Sequence, residues 1–272
     1  MATATKHAVS VQLIGGPTAV LYIAGLRVIL DPTFDPPQDY TGHPNSEGLQ
    51  GVERIEPPAV SAQELGTVDV ALISHDHHID NLDDSGKEYI KQVQHVYTTD
   101  LGAERLGRGA VGLEDYKSAT LDLPDGGQVT ITGVPAKHGP DGIWQAIGPV
   151  TGFLLSGDVP TTYVSGDNSQ VEAVQEITQR FSDIEIAVLF VGGAGFPELA
   201  DGDYITLSNE RALQVSNLFP AATVIPIHHD SWKHFREDVA NLRQVFAAGD
   251  AIDRLQILTR GHTETVRTNP NR

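Results

Sequence analysis

Cysteine is absent from this 272-residue chain, methionine occurs once, tryptophan twice, and aromatic residues make up only 6 %. Without cysteine there is no disulfide, no thiolate nucleophile and no cysteine-ligated zinc. Cations are scarce as well: 18 Lys and Arg stand against 36 Asp and Glu, a formal net charge of −18 and a pI near 4.8. Such a field opposes docking onto DNA, RNA or an anionic bilayer, so neither nucleic acid nor membrane is expected as a partner. No apolar run reaches the ~18 residues of a membrane-spanning helix, and the opening Met1-Ala2-Thr3-Ala4-Thr5-Lys6-His7 lacks the apolar centre of a secretory signal. Composition therefore points to a soluble, cytoplasmic protein. Its oligomeric state is not readable from the sequence.

Forty per cent of the residues are hydrophobic, enough for a sizeable core. No Pro/Ser-rich linker interrupts the chain, so a single domain over residues 1–272 is expected. Alternating residues at 8–14, then 18–23 and 27–30, separated by Gly15-Gly16-Pro17 and Gly25, read as a β-meander. Further strands are expected at 68–73, 94–98, 117–122, 128–134, 151–155, 161–165, 184–191, 222–227 and 254–259. Helices are expected after residue 83 to about 92, and at 168–181, 208–219 (N-capped by Ser208) and 232–247. Residues 31–66, with six prolines, show no clear period. They form either a lid or binding loop, or an ordered surface excursion.

Histidine is what the chain has in quantity: 11 residues, in clusters. His75, His77 and His78 follow the apolar strand ending Ala71-Leu72-Ile73. His228 and His229 follow Val224-Ile225-Pro226-Ile227. His138 follows the run 130–134, and Asp167 follows Thr161-Thr162-Tyr163-Val164-Ser165-Gly166. Four strand ends on one sheet edge converge in space, and neutral imidazole with carboxylate suits Zn²⁺, Fe²⁺ or Mn²⁺. His7, His43, His95, His234 and His262 stand alone and are expected in surface or structural roles.

The ordered elements Thr18-Ala19-Val20-Leu21-Tyr22-Ile23, Ile29-Leu30-Asp31-Pro32, Ser74-His75-Asp76-His77, Pro135-Ala136-Lys137-His138-Gly139-Pro140, Ser165-Gly166-Asp167-Asn168 and Pro226-Ile227-His228-His229 resemble the metallo-β-lactamase fold superfamily. Within it they resemble the branch of ascorbate-6-phosphate lactonase-like proteins and N-acylphosphatidylethanolamine-type phospholipases D. The resemblance covers most of the chain. It implies an α/β fold (α+β in some schemes), a four-layer αββα sandwich with one or two zinc ions, or Mn or Fe, at an edge of both sheets. By motif position His75, His77 and His138 would hold the first metal, Asp167 would bridge, and His228, rather than its neighbour His229, would serve the second.

The first motif departs from the family's His-x-His-x-Asp-His. Here the run is His75-Asp76-His77-His78-Ile79-Asp80-Asn81: Ile79 occupies the Asp position, and the Asp-His pair appears one residue late as Asp80-Asn81. Asp80 is the preferred ligand for the second metal, with His78 as the alternative.

The resemblance implies a metal-dependent hydrolase in which a metal-activated hydroxide attacks a small soluble ester, lactone or phosphodiester. That agrees with the absence of cysteine and of any Gly-x-Ser-x-Gly elbow. Asp76 would orient water or a ligand imidazole, or else cap a helix start. His229 would steady the developing oxyanion or protonate the leaving group, or else face solvent. Trp144 and Trp232 would either wall the pocket or pack in the core, and Asp31 would be structural. Two other readings fit the same residues: a mononuclear iron oxygenase on this fold, and a non-catalytic metal-stabilised binding protein.

Overall fold

The computed structural model describes residues 8–46, 52–114, 116–197 and 199–267; His7 lies outside them. In chain order the elements are β1 (Val9–Gly15), β2 (Thr18–Ile23), β3 (Leu26–Leu30), β4 (Gln38–Asp39), β5 (Glu53–Arg54), α1 (Ala62–Leu65), β6 (Val70–Leu72), α2 (Asp84–Tyr89), β7 (His95–Thr98), α3 (Asp100–Leu106) and β8 (Val111–Gly112). They continue as β9 (Ser118–Asp122), β10 (Gln128–Pro135), α4 (Ile143–Ile147), β11 (Thr151–Gly157), β12 (Thr162–Val164), α5 (Val171–Arg180), β13 (Ile186–Phe190), α6 (Asn209–Asn217), β14 (Thr223–Ile227), α7 (Val239–Ala248) and β15 (Thr263–Thr265).

Two sheets carry the fold. The first has the order β15-β1-β2-β3-β6-β7-β8 and the second β14-β13-β12-β11-β10-β9. β1, β2 and β3 form the expected antiparallel meander, with Leu21 opposite both Val11 and Val28. Period-2 alternation gives each sheet two apolar faces. The inner faces meet through Val11, Leu13, Leu21, Val28 and Leu72 on one side and Phe153, Leu155, Val164, Val188 and Ile225 on the other. The outer face of the second sheet buries Tyr163, Leu189 and Val224 under Val174 and Ile177 of α5, Val215 of α6 and Leu242 and Phe246 of α7. The outer face of the first buries Val20, Ile29, Ala71 and Ile73 under Leu65 of α1 and Tyr89 of α2. The result is the four-layer αββα sandwich of the metallo-β-lactamase fold. Among the described residues no helix is long and apolar enough to cross a membrane.

Helix starts follow side-chain chemistry. Ser208 accepts from the Arg211 N–H and Asp238 from the Asn241 N–H, each meeting a backbone donor that no helical carbonyl reaches. Asp238 also explains why the last long helix begins at Val239 and not near 232: residues 232–237 are occupied in packing against the site. The expected strand at 254–259 is absent; Leu255 makes one isolated bridge to Val224, and the pairing strand is β15, with Ser10, Val11 and Gln12 of β1. α3 and α4 carry no strong apolar period and were not foreseen.

Between residues 31 and 66 the described segment is ordered. β4 pairs with β5, and α1 starts in a reciprocal Ser61–Glu64 capping box. Arg54, fully buried, donates to Asp83 Oδ2 at 3.2 Å and lies over the Trp232 ring at 5.6 Å, tying this excursion to the body of the fold.

Candidate metal centre

In the first sheet β3 and β6 run parallel; in the second β12, β13 and β14 do so, and β10 shares their direction because two antiparallel steps separate it from β12. The carboxyl ends of all these strands therefore open at one edge. There Asp31 follows β3, His75 follows β6, His138 follows β10, Asp167 follows β12 and His228 follows β14. The two sheets approach closely at Gly166. Its φ is +57°, and a Cβ there would stand 2.7 Å from the Thr151 carbonyl oxygen and 2.8 Å from Ser74 Cβ. Only glycine accepts both the left-handed backbone and that gap.

Ligand-capable atoms of His75, His78, His138 and Asp167 all lie within 4.8 Å of one another, and those of Asp80, Asp167 and His228 form a second such group. His75 Nε2 is 2.8 Å from His78 Nδ1, which is 3.2 Å from His138 Nε2; His138 Nε2 is 3.5 Å from Asp167 Oδ2. The ring protons are placed by what lies behind the rings. Ser74 Oγ donates to Asp31 Oδ2 at 2.6 Å, so it accepts from His75 Nδ1 at 2.9 Å. His138 Nδ1 donates to the Ile205 carbonyl at 2.6 Å. Both Nε2 lone pairs therefore face inward. Burial pushes the pKa values of His75, His78 and His138 down, and for the first two the neighbouring imidazoles add to it. Two inward-facing imidazole lone pairs converge on His78 Nδ1, a nitrogen arrangement suited to a borderline divalent cation.

In the second group His228 Nε2 stands 3.5 Å from Asp167 Oδ1 and 3.7 Å from Asp80 Oδ2. The ring is fully buried and neither nitrogen has a hydrogen-bond partner among the described residues. Burial opposes its charged form, but the two carboxylates outweigh this and raise its pKa, while the two imidazoles on Asp80 hold that carboxylate well below its usual range against its own burial. An orphaned buried imidazole facing two carboxylates fits a divalent cation.

The structure does not bring His77 into either group. The backbone closes a turn on the His78 carbonyl, which accepts from the Asn81 and Leu82 N–H groups, and Ile79 and Leu82 turn into the core with no exposure. That turn swings His78 inward and leaves His77 against Gly148, where a Cβ would be 3.1 Å from its Nε2. The choice between Asp80 and His78 dissolves: each belongs to a different group. Asp76 points away, in bidentate contact with Arg105; burial works to raise its pKa, but those hydrogen bonds prevail and hold it well below the carboxylate range. Asp31, structural as expected, accepts from Ser74 and Asn81, and burial pushes it up to about 7.

A cavity of about 280 Å³ opens onto both groups. Its walls are Val52, Ile147, Phe196, Leu199 and Ile205, with Asn45 and His234 as further polar members. Asp76, His229, Trp144 and Trp232 are not among its lining residues. Trp232 packs instead against Tyr40 and Arg54, and the Trp144 indole N–H donates to Asp141. His234 departs from the isolated role expected of it: its Nε2 lies 3.0 Å from Asp80 Oδ2 and its ring stacks on Phe196 at 5.0 Å. The 192–207 segment, carrying Phe196, Leu199 and Ile205, was also missed. A single His and scattered apolar residues after a strand carry no periodic signal.

Residues 26–229 match the family described as beta-lactamase superfamily domain. A UPF0173 metal-dependent hydrolase of Pelotomaculum thermopropionicum is 27 % identical over 215 residues, 76 % of this chain and 86 % of that one. An isothiocyanate hydrolase from Delia radicum gut bacteria superposes with a TM-score of 0.78 at 23 % identity, covering 96 % of this chain and 99 % of that one. A possible metal-dependent hydrolase from Veillonella parvula gives a TM-score of 0.77 at 18 % identity, over 97 % and 100 %. The chain belongs to the beta-lactamase superfamily. Relatives that it matches in sequence are described as metal-dependent hydrolases.

Proposed function

We propose that the chain hydrolyses a small, uncharged electrophile of the ester or lactone kind, with His75, His78, His138 and Asp167 holding one metal, zinc by its donor set, and Asp80, Asp167 and His228 holding a second. Two imidazole nitrogens, those of His75 and His138, lie within 3.2 Å of a third on His78, with the ring protons of the first two tied behind them, and this carries the metal assignment. A bound metal supplies the Lewis acidity that makes water nucleophilic near neutral pH and polarises the electrophilic oxygen.

The chain's own residues do the rest. Ser74 and the Ile205 carbonyl fix the His75 and His138 tautomers. Val52, Ile147, Phe196 and Ile205 enclose an apolar substrate body and exclude water from the cavity. No Lys or Arg lies among the lining residues, which favours an uncharged substrate over the phosphodiester that the sequence also allowed. Asp76, held by Arg105, and His229, outside the cavity, are given no part in the reaction.

The test pairs two neighbouring histidines. His78→Ala is expected to lose bound metal and at least ~100-fold in kcat/KM toward phenyl acetate or a γ-lactone, while His77→Ala keeps both. The panel includes bis-p-nitrophenyl phosphate and benzyl isothiocyanate, the latter because it is the substrate type named for the structural relative. Metal lost in His77→Ala and retained in His78→Ala would overturn the ligand assignment, and preference for the phosphodiester would overturn the substrate class.

A further inference from the structure

The two groups of ligand atoms differ in kind. The first offers three imidazoles and one carboxylate; the second offers two carboxylates and a single imidazole. Where the family motif has its last histidine, this chain has Asn81. The amide of Asn81 has no exposure, and its Nδ2 donates to Asp31 Oδ2 at 3.0 Å and to Asp167 Oδ1 at 3.1 Å. Two carboxylate oxygens on that side set the orientation of the amide, since a flipped amide would oppose oxygen to oxygen. Asn81 thus braces Asp167 from behind and offers no nitrogen lone pair to a cation.

His234 braces the other carboxylate. A carboxylate oxygen only accepts, so the 3.0 Å contact requires that His234 Nε2 carry the proton and donate to Asp80 Oδ2. Stacking on Phe196 and an edge contact with Phe235 at 4.8 Å hold the ring, which is 7 % exposed. Its Nε2 is thereby occupied as a donor, and His234 stands outside both groups of mutually close ligand atoms.

We propose that the two metal sites are unequal: the site on His75, His78 and His138 binds tightly, while the site on Asp80, Asp167 and His228, with a single imidazole, exchanges its ion, and Asn81 and His234 are the positioning residues that hold its carboxylates. This rests on the metal assignment above. Amide for imidazole removes a strong donor for a borderline divalent ion, and residues that orient ligand carboxylates typically change metal affinity by 10–100-fold.

The test is a Co²⁺ titration of chelator-treated full-length protein, read by visible absorption, with elemental analysis after desalting. The wild type is expected to keep one equivalent through desalting and to bind a second at least ~10-fold more weakly. Asn81→His is expected to retain two equivalents. His234→Ala is expected to weaken only the second step, by ~10–100-fold, and His234→Gln, which keeps an N–H at similar reach, to recover most of the loss. Should Asn81→His not fold, the two His234 variants decide. Two equivalents retained together by the wild type, or a second step indifferent to His234, overturns the inequality. Failure to retain the first equivalent overturns the metal assignment itself, a distinct result.

Discussion

At the scale of the residue, Tyr89 shows how burial sets a titration. Its hydroxyl donates to the Gly66 carbonyl at 2.6 Å, and burial, against the pull of Arg27, pushes its pKa from 10.0 up to about 12. The folded state therefore holds a proton that the unfolded chain gives up near pH 10. A raised folded pKa means stability that is fully present below pH 10 and lost as pH rises toward 12. Tyr89→Phe is expected to be less stable at neutral pH by the lost hydrogen bond, about 1 kcal/mol. The gap to wild type should narrow between pH 10 and 12 in denaturant titrations; a gap that stays constant would show that the proton is not linked to folding. The same scale explains what the sequence could not reveal about His77 and His78. Both are histidines beside His75, and one inserted apolar residue, Ile79, decides which ring faces inward. That decision is made by Ile79 and Leu82 entering the core, a tertiary event. Asp31 was read as structural from the Asp31-Pro32 element that resembles the family's, and its carboxylate accepts hydrogen bonds from Ser74 and Asn81.

At the scale of the element, strands and their ends were the readable part. The runs at 18–23, 128–134 and 222–227 are patterned strongly enough to name themselves, and His138 and His228, which follow the last two, have a chemistry of their own. Short helices such as α4 and the wall segment around Phe196 were not readable, because three or four apolar side chains facing a cavity leave no period. Nor was the close seating of β10 on the 113–117 turn. A Cβ on Gly133, mid-strand in β10, would stand 1.5 Å from the Leu113 carbonyl oxygen, while Gly133 exchanges backbone hydrogen bonds with Tyr116 and Lys117. No side-chain rotation relieves that clash. Gly133→Ala is expected to cost upward of about 4 kcal/mol, in the range reserved for severe packing faults. A urea midpoint close to wild type would mean that the turn yields freely.

At the scale of the molecule, a charge of −18 spreads over a chain with no covalent cross-link. Binding a cation to the folded state alone stabilises it by mass action, about 2.7 kcal/mol at a metal concentration 100 times Kd. For a protein of this size each kcal/mol moves Tm by roughly 2–4 °C. Chelator-treated protein is thus expected to melt about 5–10 °C below protein supplied with Zn²⁺ at that excess, and coincident melting curves would contradict metal binding at the sheet edge.

The close approach at Gly166 has a temporal consequence. His75 and Asp167, members of one ligand group, are brought together from opposite sheets across a long stretch of the sequence, and closing that loop carries an entropic cost for the free chain. A cation cannot recruit both from an open coil. Docking of the two sheets must come first and the ion afterward, so that the ion acts as a latch on a finished assembly: it slows the sheets' parting far more than it hastens their meeting.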